Sequence, residues 1–162
     1  MATQKTGSRA QDAIALLKQD HKTMRELLSK LEEAEGRDRQ STLRTIEHEL
    51  KVHTKIEEDI FYPAFREAAE KEEDKELYFE ALEEHHVVDL VLPEIKETEP
   101  DADEFKAKAK VLKDLVEHHA EEEETEMFPR AKKLMDRAQL MELGQQLADA
   151  KASLNGGEKA GR

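Results

Sequence analysis

The chain has 162 residues, which suits one domain with a sizeable core, and it carries no cysteine, which excludes disulfides, thiol chemistry and cysteine-ligated iron-sulfur clusters. Charged residues make up 40% and aromatics 4%, and the formal net charge of -13 argues against a nucleic-acid partner, since phosphate backbones are held by basic patches. No apolar run has the length of a membrane span and the N-terminus lacks the apolar stretch of a signal peptide, so the expected location is the cytoplasm, with no membrane partner.

This composition predicts an all-α protein with solvated outer faces. Residues 1–11 read as a flexible lead-in that ends in a capping box, Ser8-x-x-Gln11. The first helix ends near Gly36 and repeats Ile14, Leu17, His21, Met24, Leu28 and Leu31 at alternating steps of three and four, the spacing of one buried stripe. A polar turn at Arg37 to Gln40 leads into a second helix reaching about Ala69, whose stripe is Leu43, Ile46, Leu50, His53, Glu57 and Ile60.

A charged turn, Lys71 to Asp74, precedes the third helix, with stripe Tyr78, Ala81, His85, Val88, Leu92 and Ile95. Pro100, Asp101 and Asp103 mark the last major turn and cap a fourth helix with stripe Ala109, Leu112, Val116, His119 and Glu123. Pro63, Pro93 and Pro129 should kink or end the helices that contain them, and Phe61-Tyr62-Pro63 and Phe128-Pro129 should close the same end of the molecule. Short turns make neighbouring helices antiparallel, giving an up-and-down four-helix bundle over residues 12–135. A short fifth helix at 136–150 and a disordered tail at 151–162 complete the expected organisation.

Each of the four stripes carries a histidine at mid-length, and two carry a glutamate four residues later. His53-x-x-x-Glu57 and His119-x-x-x-Glu123 place an imidazole and a carboxylate on one helix face, about 5 to 6 Å apart. Six polar groups facing a dry interior cost several kcal/mol each unless satisfied, and a metal centre satisfies them together. The halves also repeat: Asp20-His21 and Glu84-His85 each precede one of the His-x-x-x-Glu elements. Pseudo-symmetry then gives each of two ions two histidines, with Glu57 and Glu123 bridging.

Helical phase separates these six from their neighbours, because one residue turns the helix by about 100°. His86 and His118 fall off the stripe and are either boundary histidines or extra ligands, while His48 is out of phase and expected to be exposed. Glu58 and Glu124 are one residue off and read as acceptors for a ligating imidazole or as surface charge. Asp89, four residues after His85, reads as a surface aspartate. Imidazole and carboxylate donors suit iron, and also accept manganese or zinc.

The ordered set His21, His53-x-x-x-Glu57, His85, His119-x-x-x-Glu123, spread over residues 12–135, resembles the hemerythrin-like proteins with an HHE cation-binding domain. The resemblance implies two iron ions in a non-heme, oxo- or hydroxo-bridged, carboxylate-bridged centre, with these six residues at the family's ligand positions. Asp89 and Glu123 depart from the oxygen-carrying hemerythrins, which have histidine and aspartate there. Expected partners are therefore small molecules, H2O2, O2 or NO, with peroxide decomposition as the leading activity and iron, O2 or NO binding, storage or sensing as the alternative. The expected assembly is a monomer or weak homodimer.

Overall fold

A computed structural model describes residues 10–159 and is helical throughout, apart from turns. The expected lead-in Met1 to Gly7 and Ser8 of the expected capping box lie outside the described residues. Helix α1 is Ala13–Glu33, and its N-cap is Asp12, whose Oδ1 accepts the Ala15 N–H at 2.8 Å; the expected box is replaced by this Asp cap. The chain reverses at Ala34 to Gly36, earlier than predicted, because Gly36 takes φ 53° at no steric cost; Arg37 already opens the next helix.

Helix α2 (Arg37–Ile56) runs through a widened π-turn, Glu57–Phe61, into α3 (Tyr62–Ala68) as one rod. Helix α4 is Glu72–Glu97, and α5 (Asp103–Glu122) continues through a second π-turn, Glu123–Met127, into α6 (Phe128–Leu134). Asp74 lies inside α4 rather than in the turn: it accepts the Lys71 N–H at 3.3 Å and pairs with Arg130 of α6 at 2.8 Å. The turn at Pro100 is as expected, but α5 starts without a side-chain cap, and Asp103 lies in its first turn.

No proline ends a helix. Pro93 lies on the exposed side within α4, and Pro63 and Pro129 each follow a π-turn whose final bond runs from the Tyr62 N–H to the Glu57 carbonyl and from the Phe128 N–H to the Glu123 carbonyl. A proline in a regular helix clashes with the carbonyl four residues back, so the wider turn before it relieves the conflict.

The four rods pack with α1 against α2 and α5, and α4 against α5 and α2. The interior has three layers. One apolar cluster holds Leu17, Ile56, Phe61, Phe65, Ala81, Met127 and Phe128, and another holds Met24, Leu50, Val88, Leu112 and Val116. Between them along each rod lie the buried His21, His53, Glu57, His85, His119 and Glu123. Phe61 and Phe128 meet at 5.6 Å between ring centroids, closing one end as expected.

The last helix, α7, runs Arg137–Lys159, well beyond the expected Ala150, and so corrects both the short fifth helix and the disordered tail as far as Lys159; residues 160–162 lie outside the described residues. It packs on α1 and α2. Leu154 covers the first apolar cluster, Lys151 pairs with Asp20, and Asn155 bonds His48 at 2.8 Å, which makes His48 half-buried rather than exposed. Gly144 permits the crossing, since a Cβ there would fall against the backbone of Gln11, Asp12 and Ala13.

Candidate metal centre

The four histidines come from four rods and turn their Nε2 atoms inward. Each Nδ1 faces a carboxylate: His21 meets Glu124 at 2.9 Å, His53 meets Asp20 at 3.0 Å, His85 meets Glu58 at 2.8 Å and His119 meets Glu84 at 3.1 Å. A carboxylate on Nδ1 keeps the ring proton there and leaves the Nε2 lone pair free, the arrangement of histidines that ligate metals. The pattern is pseudo-twofold: His53 and His119 use a carboxylate of their own half, and His21 and His85 use one of the opposite half. Arg25 fixes Glu124 at 3.0 Å and also reaches Glu117 at 2.9 Å.

The inner atoms form two groups that share one residue. His21, His53, Glu57 and Glu123 make the first, and Glu57, His85 and His119 the second. Glu57 Oε1 is 2.8 Å from His53 Nε2, while its Oε2 is 3.1 Å from His85 Nε2. Glu123 Oε1 lies 2.8 Å from His119 Nε2 and 3.4 Å from His21 Nε2. Despite these short distances, His21 Nε2, His53 Nε2, Glu57 Oε1 and Glu123 Oε1 are buried and form no hydrogen bond. The atoms are aimed past one another at common points. Two donors each ~2.1 Å from one ion at a right angle stand ~3 Å apart, so the orphaned atoms and their spacing fit a metal rather than a hydrogen-bond network.

The electrostatics agree. Burial opposes charge on His53, but the Glu57 and Asp20 carboxylates outweigh it and push the imidazole up to about 10. Burial likewise opposes charge on Glu57, yet the surrounding histidines hold it well below the usual carboxylate range. Protons on the imidazoles thus supply the positive charge that the two buried carboxylates require, and a cation can take their place.

The remaining candidates separate cleanly. Glu58 and Glu124 sit on imidazole Nδ1 atoms, outside the inner groups. His86 and Asp89 are exposed on α4. His118 points to solvent, its Nε2 3.3 Å from Glu122 and 3.5 Å from Glu84, so the structure places neither His86 nor His118 in the buried centre. Burial and the Glu84 and Glu80 carboxylates push Glu122 up to about 7.

Three residues at the centre were not singled out from the sequence for these roles. Asp20 and Glu84 back His53 and His119; the signal was their place just before His21 and His85 in both repeats. Tyr62 is fully buried, and its hydroxyl donates to Glu57 Oε2 at 2.9 Å. It is five residues from Glu57, so it faces inward only because of the π-turn; the neighbouring Pro63 was the available hint.

A small cavity of about 20 Å³ touches all four histidines and is otherwise walled largely by Met24, Leu50, Val88, Val116 and Ala120. That is room for about one water-sized molecule.

A helical bundle with a polar layer of four histidines and two shared carboxylates defines a class of cation-binding bundle proteins. Residues 12–131 match the hemerythrin HHE cation binding domain, and the chain belongs to that family. Its fold is similar to the crystal structure of a hemerythrin HHE cation binding domain-containing protein from Mycobacterium kansasii, with a TM-score of 0.80 and 28% identity, covering 91% of this chain and 89% of that one. It is also 26% identical over 150 residues to a Nostoc sp. protein named a DNA nickase, a match covering 90% of this chain but 42% of that longer protein. Among the described residues no helix is long and apolar enough to cross a membrane.

Proposed function

We propose that this protein holds two iron ions between its four rods and decomposes hydrogen peroxide there. The observation that carries the reading is the pair of inner groups joined through the two oxygens of Glu57, beside a cavity of about 20 Å³. His21, His53, Glu57 and Glu123 would hold one ion, and His85, His119 and Glu57 the other, with Glu123 Oε1 within reach of both. When bound, a pair of redox-active ions supplies electrons for disproportionation, in which one peroxide is oxidised to O2 while another is reduced to two waters.

The chain's own residues do the rest. Carboxylates on the four Nδ1 atoms set ring orientation, and the apolar clusters above and below keep bulk water from the layer. The cavity admits peroxide, O2 or NO and leaves no space for an organic substrate. Imidazole and carboxylate donors suit iron, with manganese and zinc as the other metals such a set accepts.

A second reading is favoured by the apolar remainder of the cavity wall, which offers no proton-transfer group: reversible binding, storage or sensing of iron, O2 or NO without turnover. Nicking of DNA is not carried over from the longer Nostoc protein, because a net charge of -13 opposes approach to a phosphate backbone. Metal analysis with ultraviolet-visible spectra before and after peroxide tests the proposal. Two irons per chain with catalytic O2 evolution is the expected result; two irons with a stable adduct shifts the reading to binding, and no bound metal overturns it.

A further inference from the structure

The two halves match almost position for position, and one mismatch falls inside the centre. Five residues after Glu57 comes Tyr62, and five after Glu123 comes Phe128, each closing a π-turn and each followed by proline. Both rings lie over the corresponding histidine. Phe128 stacks on His21 at 5.8 Å, and Tyr62 stacks on His85 at 5.3 Å. A phenyl ring would serve packing equally well at both places, so the hydroxyl of Tyr62 is the chemical difference between the halves.

That hydroxyl is directed into the second group of donors. It lies 2.9 Å from Glu57 Oε2, 3.2 Å from His85 Nε2, 3.4 Å from His119 Nε2 and 3.4 Å from Glu123 Oε2. A hydroxyl has one proton to donate, and Glu57 receives it. The other three distances are those of neighbouring ligands around one ion, the same spacing that relates His85 Nε2 to His119 Nε2 at 3.1 Å. The second group holds one carboxylate and two histidines, where the first holds two of each, so a further oxygen donor evens the count.

We infer that Tyr62 is a ligand of the ion held by His85 and His119, and of that ion alone, so that the two metals of the centre are chemically unequal. The inference rests on the metal reading above. On binding a ferric ion the phenol O–H gives its proton to solvent and the oxygen donates an electron pair to the ion; neither the iron nor the ring changes oxidation state. Tyr62 approaches from the Phe61 and Phe128 side of the layer, while the small cavity lies on the Val88 and Val116 side. The second ion would be capped on one side by phenolate oxygen and open on the other.

The test is resonance Raman spectroscopy of the full chain loaded with ferrous iron and oxidised in air, after iron has been counted. Visible excitation should bring out tyrosinate ring modes. The chain has two tyrosines, so Tyr78→Phe should keep those modes and Tyr62→Phe should abolish them along with the visible charge-transfer absorption. If Tyr62→Phe fails to load iron, the Tyr78→Phe protein alone decides, because any tyrosinate signal in it belongs to Tyr62. Two irons without tyrosinate modes overturns this inference and leaves the di-iron reading standing, whereas absence of bound iron overturns both.

Discussion

Each imidazole in the polar layer has two tasks, one per nitrogen, and the structure separates them. Replacing His119 or Glu123 with alanine removes an inner donor, so bound metal should drop sharply while far-ultraviolet circular dichroism stays nearly unchanged, the two apolar clusters being untouched. His118→Ala should alter neither, since its ring points to solvent; metal analysis of the three variants checks both statements. These six positions were legible in the sequence because an imidazole or carboxylate replacing Leu or Ile on a stripe is conspicuous. Asp20 and Glu84 were not, because an acidic residue beside a stripe looks the same whether it faces a ring nitrogen or water.

Protons compete with the metal at the same atoms. His53 titrates near 10 without a metal, so at neutral pH its ring is protonated, and an ion must displace that proton to reach Nε2. Metal binding should therefore release protons near neutral pH, and affinity should fall as pH falls, by about tenfold per pH unit for each proton displaced. Calorimetric titration in buffers of different ionisation enthalpy measures the number released. Affinity independent of pH between 6 and 8 would refute the argument.

At the level of elements, the rods were legible because their stripes hold a constant phase, and the failures occur where phase changes. Counting at 3.6 residues per turn from Glu57 places Ile60 and Ala64 inward, but the widened turn brings Phe61, Tyr62 and Phe65 there instead, all three fully buried. The end of α7 was missed for a different reason. Residues 151–157 have a composition suited to a tail, and they are helical because Lys151, Leu154 and Asn155 each find a partner on other elements. The close crossing of α7 over the start of α1 depends on Gly144. Alanine there should gain about 1 kcal/mol of helix propensity but lose about 1 to 3 kcal/mol to the forced backbone shift, so Gly144→Ala should lower the melting temperature. Thermal unfolding followed by circular dichroism measures the balance, and an unchanged or higher midpoint would show that the crossing can relax.

For the molecule as a whole, the bundle is held by apolar layers on both sides of the polar one, so metal should stabilise a fold that already exists. At a free metal concentration about 100 times Kd the gain is about 2.7 kcal/mol, which for this size corresponds to about 5 to 10 °C. Treatment with a chelator should lower the midpoint by that order and leave the unfolding cooperative; collapse of helicity on chelation would mean that the metal builds the bundle.

The two π-turns have a further meaning at this scale. Each amounts to one extra residue threaded into a rod, at the same depth and directly after a central glutamate. Deleting Asp59 would return its rod to regular winding and swing everything from Phe61 onward by about 100° relative to its partner, a frameshift in space that leaves the reading frame intact. Paired insertions of this kind keep the halves in step, so length changes in this chain are tolerable at these points only as a matched pair.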